Sequence, residues 1–105
     1  MTKITCSGRG DRYYLSAVGH AGYNPGQDIV CAGVSAILES LSIYLDNCGD
    51  HARNAHQKRE PGRFVLRCSG DEAVGEAWKM ACLGLLSIAE TYPSHVSVQF
   101  DLEGM

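Results

Sequence analysis

His20, Asp28 and Cys31 fall within one short segment, 19–37, and their types and order suit nucleophilic catalysis by a thiol. A cysteine nucleophile needs a thiol that ionises near neutral pH, a base within hydrogen-bond reach, and donors awaiting an oxyanion. Asp28 is a favoured N-cap residue, and an apolar periodic run begins directly after it. With Asp28 as cap, Cys31 takes the third helical position. Unsatisfied N–H groups and the positive end of the helix dipole there favour a thiolate. The same N–H groups could receive a tetrahedral oxyanion. His20 closes an expected strand, a rigid mount for a base. The loop between them is long enough to fold back and bring His20 to Cys31. Asp28 also has a rival role, orienting His20 as the third member of a triad. Capping and orienting compete for its two oxygens, and capping is favoured first. Ser35 lies one turn beyond Cys31 on the same helix face. It either supports the thiolate or only bonds a helix carbonyl. Gly19, Gly22 and Gly26 permit a mobile loop over the site, with Tyr23 as its gripping residue.

The elements that must hold these residues follow from periodicity. Residues 4–7 and 12–18 alternate as strands, and Gly8-Arg9-Gly10-Asp11 between them reads as a tight hairpin turn. Three glycines and a proline exclude regular structure over 19–27. A long helix is expected over 29–47, with Val30, Val34, Ile37, Leu41, Tyr44 and Cys48 on its core line. Ile29, Ala36 and Ile43 make a second apolar line, as if a partner chain covered the outer side. The polar stretch 50–61 reads as a loop or a short edge strand. Residues 63–68 alternate as a strand. A second helix runs from Asp71-Glu72 to about Tyr92, burying Val74, Ala77, Trp78, Ala81, Leu85, Ile88 and Tyr92, and Pro93 stops it. Residues 95–101 close as a strand. The order β-β-α-(β)-β-α-β predicts an α+β fold, two long helices packed on a mixed, mainly antiparallel sheet.

The chain has 105 residues, which predicts a single domain over 1–105 able to bury its own core. Five cysteines, an odd number without a CxxC pair, argue against a disulfide framework and for a reducing, cytoplasmic setting. No leader segment opens the chain, and no apolar run reads as long enough to span a bilayer, so no membrane role is expected. The net charge of −3 predicts no direct nucleic-acid partner and suits a basic substrate. Arg53, Lys58, Arg59 and Arg63 form a local basic cluster, read as a solvated loop because no aromatics interleave it.

The segment GHAGYNPGQDIVCAGVSAI resembles the signature of the bacterial ribosomal-processing cysteine protease family. Gly19-His20-Ala21 and Asp28-Ile29-Val30-Cys31-Ala32-Gly33 with Ser35 carry the likeness, and the element order extends it over essentially the whole chain. The resemblance implies a homodimeric cysteine endopeptidase. It would remove the N-terminal extension of a large-subunit ribosomal protein, number twenty-seven. His20 and Cys31 would be the catalytic pair and Asp28 and Ser35 supporting residues. Gly19 would shape the turn beside His20, and Ala21, Gly22, Tyr23 and Gly26 would form the substrate loop. No cofactor or metal is implied.

Plainer readings stand beside these. Cys6, Cys68 and Cys82 read as core thiols, and His95 as a surface or edge residue. Cys48, His51 and His56, with Asp46 or Asp50, could ligate zinc, although their spacing matches no common module. A non-catalytic ribosome-assembly factor that only binds a ribosomal protein is the alternative function.

Overall fold

Alternating residues build the sheet and three- and four-residue steps build the helices. A computed structural model describes residues 1–22 and 28–103. The strands are β1 (Thr2–Arg9), β2 (Arg12–Val18), β3 (Ala52–Glu60), β4 (Arg63–Gly70) and β5 (Val96–Glu103). The helices are α1 (Ile29–Asn47) and α2 (Glu72–Thr91), and a single 3-10 turn, Gly49–His51, precedes β3. The sheet order is β3-β4-β2-β1-β5. Every neighbouring pair is antiparallel except β1 and β5, which run parallel. This is the expected α+β architecture. The polar stretch left open between loop and strand is a full edge strand, β3, so its basic residues belong to the sheet.

One side of each strand faces the helices, as the two-residue period requires. Ile4 and Cys6 of β1, Tyr13 and Leu15 of β2, and Phe64 and Leu66 of β4 are buried together under Val34, Leu38, Trp78 and Leu85. Leu15, Leu66 and Leu85 are fully enclosed. Truncating any of them to alanine costs about 2–5 kcal/mol.

The core line of α1 is Val30, Val34, Leu38, Leu41 and Leu45. It is rotated from the expected line, and Ile37, Tyr44 and Cys48 are only partly buried at its margin. Ile37 instead meets α2, where a side chain on Gly84 would lie 3.0 Å from its Cδ1. The second apolar line is real: Ile29 and Ile43 are exposed. The expectation that no apolar segment is long enough for a bilayer needs correcting. By length and composition alone α1 could cross a bilayer, with a mean hydropathy of 1.6. Scattered serines, Glu39 and Asp46 interrupt its apolar run. In the fold, Val30, Val34, Leu38, Leu41 and Leu45 of α1 are buried in the core, while Ile29 and Ile43 stay exposed.

Candidate active site

Asp28 opens α1 as its N-cap, and its Oδ1 accepts the Cys31 N–H at 2.9 Å. Cys31 therefore occupies the third position of the helix, as expected. The Ala32 N–H is spent on the Asp28 carbonyl at 3.0 Å. The expected pool of idle donors in that turn is thus reduced by two. A different donor faces the sulfur: the Ala21 N–H points to Cys31 Sγ at 3.3 Å.

Ala21 is held from its other side. Its carbonyl accepts from His95 Nδ1 at 2.9 Å. A carbonyl can only accept, so Nδ1 carries the ring proton. His95 is partly buried, and its backbone ties the end of α2 to β1 through the Tyr92 carbonyl and the Thr2 N–H. Reading His95 as a surface or edge residue missed this role, because nothing in its local sequence points to a residue 74 positions away.

His20 follows β2. Val18 pairs with Arg63, so the end of β2 lies beside the β3–β4 turn. The Gly19 N–H donates to the Gly62 carbonyl at 2.8 Å, locking the two segments together. Both glycines have left-handed backbones, φ +100° at Gly19 and +73° at Gly62. A side chain on Gly19 would overlap the Met1 carbonyl oxygen. One on Gly62 would come within 2.8 Å of His20 Nε2. The Pro61–Gly62 turn is therefore a wall against the imidazole, and it too escaped the sequence reading.

Cys31 and His20 line one cleft of about 320 Å³ together with Ser35, Gly19, Pro61, Gly62, Arg63 and Phe64. Among the described residues no hydrogen bond joins His20 to Cys31. Of the expected loop residues, Ala21 is buried, Gly22 is exposed with φ +67°, and Tyr23 and Gly26 lie outside the described residues.

The other thiols differ from Cys31 in their surroundings. Burial pushes Cys68 up to about 11, with Cys48 adding to the shift. A hydrogen bond with Cys6, then burial, pushes Cys82 far upward. Buried, protonated thiols are poor nucleophiles. Cys31 is instead partly exposed to a cleft, next to a backbone donor. The zinc constellation is not assembled: Cys48 Sγ donates to the Leu45 carbonyl at 3.5 Å, and His51 Nδ1 bonds Asp71 at 2.6 Å. His56 projects from β3. No group of three or more His, Cys, Asp or Glu able to hold a metal occurs among the described residues.

The family model for cysteine protease Prp matches residues 1–97. The chain belongs to the Prp cysteine protease family. It is a cysteine protease. The Prp fold is also visible in solved structures. The S. aureus ribosomal processing protease Prp, bound to a covalently linked product peptide, superimposes with a TM-score of 0.83 at 21% identity. That match covers 96% of this chain and 100% of the other. The same S. aureus protease with a substrate peptide gives 0.74 at 19% identity, covering 96% and 100%. SMU.848 from Streptococcus mutans gives 0.75 at 25% identity, covering 98% of this chain and 96% of its own. No curated protein matches the chain.

Proposed function

We propose that this Prp-family protease removes the N-terminal extension of a large-subunit ribosomal protein, number twenty-seven, with Cys31 as nucleophile and His20 as base. One observation carries the reading: the Cys31 sulfur, in the first turn of α1, receives a backbone N–H in a cleft whose wall includes His20.

The Cys31 thiolate attacks the scissile carbonyl and forms an acyl-enzyme. His20 protonates the departing amine, then takes a proton from the water that frees the acid. The oxyanion develops on the oxygen of the carbon that bonds Sγ, one bond beyond the sulfur, so the donor already facing the sulfur is the one nearest to receive it. That donor is Ala21 N–H. Preorganised donors of this kind need no reorientation during reaction. Asp28 keeps Cys31 at the helix start, and Ser35 lines the cleft one turn on. Processing by the S. aureus relatives supports a ribosomal substrate.

The protein acts as a homodimer in the cytoplasm. Ile29, Ile43, Met80 and Leu83 are exposed, and an apolar groove of about 530 Å³ runs between α1 and α2. All five cysteines are free thiols, which fits a reducing compartment. Sedimentation of the wild type against Met80→Glu tests the dimer.

The decisive experiment incubates the purified protein with the extended ribosomal protein and reads the new N-terminus by mass spectrometry. Wild type yields a trimmed product, and Cys31→Ala and His20→Ala do not. Equal trimming by wild type and Cys31→Ala would end the proposal.

A further inference from the structure

Net charge conceals how the fold sorts the charges. Residues directly opposite one another in a sheet project to the same side. On the side away from the helices, Lys3 lies opposite Val18 and Val18 opposite Arg63. Tyr14 lies opposite Arg67, and Arg67 opposite His56. Arg12 lies opposite Ser69, Ser69 opposite Arg53, and Lys58 opposite Val65. Arg9 lies opposite Arg12, so Lys3, Arg9, Arg12, Arg53, Lys58, Arg63 and Arg67 share one face, seven of the chain's nine lysines and arginines, against Glu60, opposite Arg63, and Asp101, opposite Ser7. The helices carry many of the acids, with Glu39, Asp46, Glu76 and Glu90 exposed there. A protein of net charge −3 therefore presents a sheet face on which cations outnumber carboxylates.

This face is also shaped. A depression of about 280 Å³ is lined by Arg12, Tyr14, Asn54, His56, Arg67 and Ser69, among others. A second, of about 250 Å³, is lined by His56, Lys58, Arg63, Val65 and Arg67. Sharing His56 and Arg67, the two form one trough, and Arg63 carries it to the Cys31 cleft. The Arg67 guanidinium stands over the Tyr14 ring, 5.8 Å from its centroid. Arg12, Arg63 and Arg67 have no carboxylate partner among the described residues. The aromatic that the basic cluster lacks in sequence is supplied across the sheet by β2.

We propose that this open face binds single-stranded RNA, its phosphates on Arg12 and Arg63 and one base against the Tyr14–Arg67 pair, whereas Lys58 is paired with Glu60 at 3.3 Å. A cationic trough with an aromatic platform suits a single strand, whose bases are free to stack. Ser7, Asn54 and Ser69 line the same trough and offer partners to 2′-hydroxyls, which DNA lacks. An acidic peptide would satisfy the charges but leave the stacking platform unused. The proposal goes beyond the protease reading and does not depend on it.

Fluorescence anisotropy of a labelled twelve-nucleotide oligouridylate, titrated with the full chain, tests it. Binding should be detectable below about 100 μM protein at about 50 mM salt and weaken steeply as salt rises. Arg63→Gln with Arg67→Gln should weaken it about tenfold or more and lower the salt slope by about 0.7 per charge removed. Tyr14→Ala should cost about fivefold or more, while Tyr14→Phe, which keeps the ring, should bind as wild type. Lys79→Gln, on α2, should change nothing, and thermal melts should show every variant folded. No binding under these conditions, loss equal to that of Lys79→Gln, or a Tyr14→Ala protein that binds normally would overturn the proposal. So would equal affinity for oligodeoxyuridylate, or equal competition by a twelve-residue polyglutamate.

Discussion

Gly62→Ala separates positioning of the imidazole from stability. Two costs fall on this substitution. At φ +73° an alanine sits in the left-handed region, worth roughly 1–2 kcal/mol. Its Cβ would also stand 2.8 Å from His20 Nε2 and 3.4 Å from Cδ2 and Cε1. The ring must retreat by about half an ångström to restore ordinary van der Waals contact. His20 is exposed, so the retreat is cheap in stability and its cost falls on geometry. A 1 Å misplacement can cost about 10²-fold in rate, so half that distance predicts about tenfold.

Gly10→Ala supplies the control. Gly10 has φ +61° in the β1–β2 turn, and a Cβ there would meet nothing within 4 Å. Both variants should lose roughly 1–2 kcal/mol in urea melts. Only Gly62→Ala should lose about tenfold in kcat/KM on the extended ribosomal substrate, read by a discontinuous mass assay. If both cleave at the same rate, the Gly62 wall does not set the working position of His20.

Other perturbations address the remaining supports. Asp28→Ala removes the acceptor for the Cys31 N–H and should cost about 1 kcal/mol in chemical denaturation together with slower cleavage. Asp28→Asn keeps an acceptor oxygen and should stay near wild type in both. An Asn variant stable but slow would shift the role of Asp28 from the helix cap to its charge. His95→Ala frees the Ala21 peptide and should lower kcat about tenfold, less than the 10²–10³ of deleting an oxyanion donor outright. His95→Asn, whose amide can donate from the place of Nδ1, should restore much of it, and a variant as slow as His95→Ala would argue against the Ala21 contact. The hydrogen bond from His51 leads the causes that hold Asp71 below the usual 3.8. Its stabilising contribution is complete above that pH and is lost as pH falls through the lower folded value. Urea melts at pH 6 and pH 3 should show a smaller acid loss in Asp71→Asn than in wild type, and equal losses would refute the linkage.

The helix start was legible because its chemistry is local. Asp28 caps, Cys31 follows at the third position, and both facts reside in four consecutive residues. The strands and helices were legible for the same reason, each being set by its own period. The rotation of the α1 core line was not, because Leu38 and Ile37 are equally apolar and only the neighbouring layer decides which one is buried. The extent of β3 was hidden too. An edge strand with little buried surface has no apolar alternation to display, so residues 52–60 read as polar chain.

What the sequence could not convey is assembled by pairing between distant segments. The parallel register of β1 and β5 sets Thr2 against Val96, which brings His95 to the loop before α1. The antiparallel register of β2 and β4 sets Val18 against Arg63, which brings Gly62 to His20. Each contact is a consequence of register. A shift of one residue in either pair would turn its core residues to the opposite face, at several kilocalories per mole. The apolar burial of Ile4, Leu15, Phe64 and Leu66 therefore fixes the alignment that places His95 and Gly62. Two residues that touch the candidate site thus owe their positions to side chains on the sheet's other side, and weakening that core should blur the site before it unfolds the protein.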